Sequence, residues 1–401
     1  MSLFPAAGTS LNLLAYGDLA IGSEAAALAG GEVRGTTVNQ LDVDPAKLLS
    51  PAQPATTAGA ATQYLFTTVK SGQEQLVHAA VPVHWLDQSR NLIAAATGSL
   101  LGFGNATLAT AKASELYAGL DLANLNLKLQ NLHADDETRL LVGRDLVYPI
   151  VRDAVFGRVE GASAGLELAG PGYLQVWVGR DVDLGSSLGI TTVGPSYNPA
   201  LPASGASIVV LAGSRLGSDP APLNDFLHYY VERGSYHDLA AELDRQTGNG
   251  GRLALALRIL FEEIRLSAQA AATSGGAVRD AAYQRGYAAI ARLFPDSPGG
   301  DIELFFSRIQ TLYGGDIDLL APGGMLNVGL ASLQGLDKTE DELGIVAQRE
   351  GHVNVLANGD VRVNQSRVFT LDGGDIAIWS STGNIDAAAE PKPPSPRRRR
   401  K

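Results

Sequence analysis

One tetrapeptide limits what this chain can fold into. Gly299-Gly300-Asp301-Ile302, Gly314-Gly315-Asp316-Ile317 and Gly373-Gly374-Asp375-Ile376 each lead into a few residues that alternate apolar and polar. Glycine supplies the positive φ of a tight corner, and the aspartate can bond backbone groups there. Each copy therefore reads as a turn feeding a short strand with one greasy face.

Between the last two copies the same grammar continues through Gly351-His352-Val353-Asn354-Val355-Leu356, Gly359-Asp360-Val361-Arg362-Val363 and Arg367–Leu371. No helix intervenes, and no Asn-Gly or Asp-Gly hairpin has matched flanks. Short strands recurring roughly every seven to nine residues predict a coil that keeps turning one way, a parallel β-helix. Upstream, Leu11–Gly22, Leu120–Leu132, Val142–Val147 and Gly165–Gly213 follow the same pattern. Val142-Gly143-Arg144-Asp145 and Val178-Gly179-Arg180-Asp181 repeat each other. Asparagines at one phase near Asn126 suggest a stacked asparagine ladder.

The pattern lapses over residues 39–63, where prolines precede a run of Ala, Thr and Gly, and this stretch reads as an exposed loop. Less regular strand-like segments follow at Tyr64–Val69, Leu76–Trp85 and Asn91–Ala95. At Ser218 the period changes from two to about three and a half. Asp219 can cap and Pro220 can start a helix carrying Leu223, Phe226, Leu227, Tyr230 and Val231 on one face, closed by Gly234. Three more helices are predicted: Ser235 to about Gln246, Arg252–Thr273 and roughly Val278–Phe294, with Pro295 and Pro298 as the stop.

The fold class expected is therefore all-β, a parallel β-helix with an α-helical insertion of about four helices. Its parts are coils over 1–217, the insertion over 218–298, coils over 299–388, and a disordered Pro- and Arg-rich tail over 389–401. At roughly 20–25 residues per coil, about a dozen coils would make a rod about 60 Å long.

Composition closes off several functions. Cysteine is absent, so there is no disulfide framework, thiolate metal site or cysteine nucleophile. The net charge is −11, and Arg397–Lys401 supply five of the 31 basic residues; the body is more acidic still, which argues against nucleic acid as a partner. Met1–Pro5 starts no basic-then-apolar leader, and no run is long and apolar enough to span a membrane.

Gly170–Ser187, Thr192–Gly194, Tyr197–Pro202, Ala206–Gly213, the Gly-Gly-Asp-Ile copies and Trp379–Asp386 resemble the C-terminal region of filamentous-haemagglutinin-like large exoproteins of Gram-negative bacteria. The similarity covers most of Leu11–Asp386. It implies a right-handed β-helical fibre, export by two-partner secretion through an outer-membrane transporter, a secreted or cell-surface location, and adhesion rather than catalysis. Expected partners are receptors or glycans on host or neighbouring cells. The family's N-terminal secretion domain is not found in this chain, which reads as a C-terminal fragment or truncated product.

No catalytic, cofactor-binding or metal residue is assigned, and no cofactor is expected. The alternative is a β-helical carbohydrate-active enzyme, a polysaccharide lyase or hydrolase, using carboxylates among Asp301, Glu303, Asp316, Asp318, Asp360 and Asp375. Against it, the aspartates after Gly-Gly are corner residues, and only Glu303 and Asp318 have the strand phase of an exposed face. Calcium at the Gly-Asp corners lacks clustered oxygen ligands, and His228, His237, Asp238 and Glu242 lack a helical zinc spacing. Tyr229, Tyr230, Tyr236, Tyr283 and Tyr287 are either a recognition surface on the insertion or its packing.

Overall fold

The computed structural model describes residues 1–22, 36–50, 53–56, 78–152, 157–161, 164–213, 219–246, 248–329, 343–364 and 366–387. The segment Tyr64–Val69 and the tail 389–401 lie outside them. The described strands build three nine-stranded sheets and two small antiparallel pairs. Every neighbour within the three large sheets is parallel. A chain that visits the three sheets in turn, and returns to each beside its previous strand, has the organisation of a parallel β-solenoid-like fold.

One coil shows the arrangement. Asn126–Gln130 lies in the first sheet, Glu137–Val142 in the second and Leu146–Val147 in the third. Leu127, Leu129, Leu140 and Leu146 point into a shared interior and are fully buried. Equivalent Leu, Ile, Val and Ala positions stack above and below them, so one narrow apolar core runs the length of the sheets. The second glycine of the tetrapeptide sits where successive coils touch: Gly315 has φ +102° and Gly374 has φ +93°, and a Cβ at either would overlap the backbone of Ala206 or Gly351. Only glycine fits both constraints.

Each large sheet has nine strands, so the described coils number nine rather than a dozen. At ~4.8 Å per step the stack is about 38 Å long. The residues that the repeat estimate assigned to further coils are spent in excursions. One is the antiparallel pair Val151–Arg152 with Val159–Glu160. Another follows Gln40: Leu41, Asp42 and Val43 are buried rather than exposed. Asp42 there accepts bonds from Gln130 and Asn198. Of Leu76–Trp85, the described residues 78–85 form bends and turns, whereas Asn91–Ala95 is a strand.

The helices fall between the strands Ala206–Ala212 and Ile302–Glu303, which makes the protein a mixture of α and β rather than all-β. They are α1 (Ala221–Leu227), continued by a π-helical turn over His228–Glu232, then α2 (Ala240–Leu243), α3 (Asn249–Ala272) and α4 (Gly276–Leu293). Asp219 Oδ1 accepts the Ala221 N–H at 2.9 Å. The insertion docks on the second sheet. Outward-facing Trp177, Leu211, Leu320, Leu356 and Trp379 form a register column and join Phe226, Leu257, Leu260, Ile264 and Leu293 in a second core.

Candidate functional site

A column of side chains ties each coil to the next. At the corner before the third sheet, Asp18 Oδ1 accepts the Ser99 N–H, Ser99 Oγ that of Asp121, and Asp121 Oδ1 that of Asp145. The chain continues from Asp145 to Asp181, Asp181 to Asp301 and Asp301 to Met325. Further on, Asp360 Oδ1 accepts the Asn384 N–H. Arg144 and Arg180 grip Asp121 and Asp145 from the side. The expected asparagine ladder is absent at Asn126, whose Nδ2 donates instead to Thr107 Oγ1; aspartate and serine at the corners take that part.

A second column precedes the second sheet. Ser207 Oγ accepts the Asp316 N–H at 3.1 Å, Asp316 Oδ1 that of His352 at 2.8 Å, and His352 Nδ1 that of Asp375 at 2.9 Å. The three Gly-Gly-Asp-Ile copies thus serve two different corners, Asp301 at one and Asp316 and Asp375 at the other. The six carboxylates do not converge. Asp301, Glu303 and Asp360 belong to the third sheet's side, whereas Asp316, Asp318 and Asp375 line a groove between the second sheet and the insertion.

That groove has a volume of about 1020 Å³. Its floor is the polar part of the second sheet's outer face: Tyr173, Ser207, Asp316, Asp318, His352 and Asn354. Its roof is the α3 face carrying Arg258, Phe261, Glu262 and Arg265, and Trp379 closes one end. The neighbouring apolar column seats the helices, so one sheet face both anchors the insertion and leaves a lined channel beside it.

The charges in the groove are unevenly matched. Arg258 donates to Glu242 at 2.6 Å, and Arg265 makes two bonds to Glu262 at 2.8 and 2.6 Å. On the floor, Asp318 takes one bond from Asn354 Nδ2 at 2.9 Å, although the residue is only 5% exposed. Burial, with Asp316 adding repulsion, raises its pKa to about 7. Two register steps away on the same face, Gln175 is fully buried and neither amide atom has a hydrogen-bond partner among the described residues.

Two anchors fix the roof. The buried Glu137 carboxylate accepts the Gly250 N–H in the first turn of α3, where the helix dipole also favours a negative charge. Arg90 at 3.2 Å and Arg139 at 3.3 Å pair with the same carboxylate. Within the insertion, Glu263 takes a bidentate pair from Arg285 at 2.6 and 2.7 Å and the Tyr236 hydroxyl at 2.6 Å. Burial pushes the Glu263 carboxyl up, but these bonds outweigh it and hold its pKa below the ordinary value.

The insertion's tyrosines mostly pack. Tyr230 is buried, Tyr236 holds Glu263, and Tyr283 and Tyr287 stack against Trp379 of the second sheet, with the Tyr287 hydroxyl donating to Ser381 O. Tyr229 stays exposed, beneath Arg292. His228 pairs with Glu232 and Glu242 with Arg258. Among the described residues no group of three His, Cys, Asp or Glu side chains is placed to hold a metal ion, and no helix is long and apolar enough to cross a membrane.

Sequence reasoning named Asp316, Asp318 and Asp375 but missed His352 as a lining residue and the whole α3 face. The available signal was apolar residues at both phases of Ile208–Leu211, the mark of a strand covered on both faces. No family model matches the chain, and neither a curated protein nor a solved structure does.

Proposed function

We propose that this chain is a non-enzymatic segment of a filamentous-haemagglutinin-like exoprotein, a closed right-handed β-helical rod whose helical insertion and adjoining groove make contact with other cells. What supports the reading most is the clamping of the insertion on the second sheet, which creates a lined channel on an otherwise repetitive stack. On a solenoid, such departures from the repeat are where binding concentrates. The reading carries with it export through an outer-membrane two-partner secretion transporter, a location at the bacterial surface, and receptors or glycans as partners. Saturable attachment of fluorescent full-length chain to cultured host cells or to neighbouring bacteria is expected, and absence of attachment to either would contradict it.

A second reading is favoured by one observation. Asp318, whose buried carboxyl is pushed up to about 7, lines the groove together with Asp316, and two carboxyl groups facing one substrate are what glycoside cleavage requires. A β-helical polysaccharide lyase or hydrolase would release reducing ends from acidic or neutral glycans and lose that activity in Asp316→Asn/Asp318→Asn. The adhesin reading expects no release by the unmodified protein.

A further inference from the structure

We propose that the groove between the second sheet and α3 recognises a basic peptide segment of a partner protein, with an arginine or lysine head held at Asp316 and Asp318. The proposal deepens the interaction reading given above and rests on it only for the groove being a contact site.

Charge, shape and unsatisfied polar groups point the same way. The roof arginines are each matched by a carboxylate, at Glu242 and Glu262. Among the described residues, the floor carboxylates are not matched by any cation. Asp316 Oδ1 is occupied by the His352 N–H and Asp318 Oδ1 by Asn354; their other oxygens and the Asp375 carboxylate take no protein donor among the described residues. A guanidinium, with five donors in a planar fork, satisfies paired carboxylate oxygens of this kind. Gln175, buried and without a hydrogen-bond partner among the described residues, lies on the same sheet face two register steps from Asp318 but outside the groove's lining.

The walls suit the stem of such a residue. Tyr173, Phe261 and Trp379 line the channel, and aromatic faces accept both the methylenes and the cation of arginine. His352 adds a constraint on orientation. Its Nδ1 accepts the Asp375 N–H, so the neutral ring carries its proton on Nε2, which offers a donor to a peptide carbonyl. An anionic ligand would meet unmatched carboxylates on the floor and is disfavoured.

A labelled hexa-arginine peptide, titrated into the full-length chain at low ionic strength, tests this, with a hexaglutamine peptide as control. Saturable binding is expected for the first and none for the second. Asp316→Asn/Asp318→Asn, which keeps an oxygen at position 316 to accept the His352 N–H, should weaken binding by about tenfold or more, the size expected for losing charge-assisted bonds. Asp225→Asn/Asp280→Asn, outside the groove, should change it little. Equal weakening by both pairs would reduce the effect to net charge and overturn the proposal, as would absence of binding. One further arm replaces Arg397–Lys401 by serine. Binding that appears only in that variant would assign the groove to the chain's own basic run and overturn the partner reading. Cell attachment is read separately, so failure of the peptide to bind leaves the adhesin reading standing on its own test.

Discussion

Asp318 spends stability for its position. Its pKa lies near 7 against an ordinary value near 4, so the folded protein holds that proton more tightly than the unfolded chain does. The sign follows from linkage: the contribution is fully present below about pH 4 and is lost as pH rises through about 7. A shift of about three units corresponds to roughly 4 kcal/mol at the upper end. Asp318→Asn should therefore melt at a higher temperature than the parent at pH 8, with the difference shrinking toward pH 4; calorimetry at the two pH values measures it. A residue kept at such a cost is easier to account for as part of a binding site than as scaffold.

The corner columns make a prediction of the same grain. Asp145 accepts the Asp181 N–H and pairs with Arg180. Asp145→Ala should lower stability by about 1–2 kcal/mol in urea unfolding, and Asp145→Asn, which still accepts the N–H, should recover most of it.

Among the elements, α3 is held at its start by Glu137 and along its length by the column ending in Trp379. Glu137→Gln leaves Arg90 and Arg139 beside a neutral amide and weakens the bond to Gly250; a loss of roughly 2–4 kcal/mol is expected, with faster hydrogen exchange in the first turns of α3 as its local signature. Trp379→Ala removes the ring that Tyr283 and Tyr287 pack against and should cost about 3 kcal/mol or more.

Element by element, the regular strands are legible because alternation and Gly-Gly-Asp-Ile are local signals, and the longer helices because their apolar faces and stops are local too; Leu76–Trp85, read as strand-like, turns out to be bends and turns in its described part. Docking was not. Val209 and Asp318 are adjacent in the sheet yet separated by the whole insertion in sequence, so nothing local says that α3 lies over them. The tetrapeptide likewise could not reveal which of two corners each copy serves, because the same hydrogen bond is made at both.

At the scale of the molecule, the nine described coils and the helical insertion share one sheet between two cores. The inner core holds the stacked sheets together and the outer one makes the groove, so the proposed contact site requires the insertion to be seated rather than free. The tryptophans report on this directly. Trp177 and Trp379 are 6% and 8% exposed beneath the helices, and Trp85, which packs on His133 away from the insertion, can be silenced as phenylalanine. The measurement is the fluorescence of the Trp85→Phe chain with acrylamide as quencher. Blue-shifted emission that resists quenching until the protein unfolds is expected. Emission typical of indole in water, readily quenched in the folded protein, would mean that the helices do not cover the second sheet, and the groove with its proposed ligand would have to be given up.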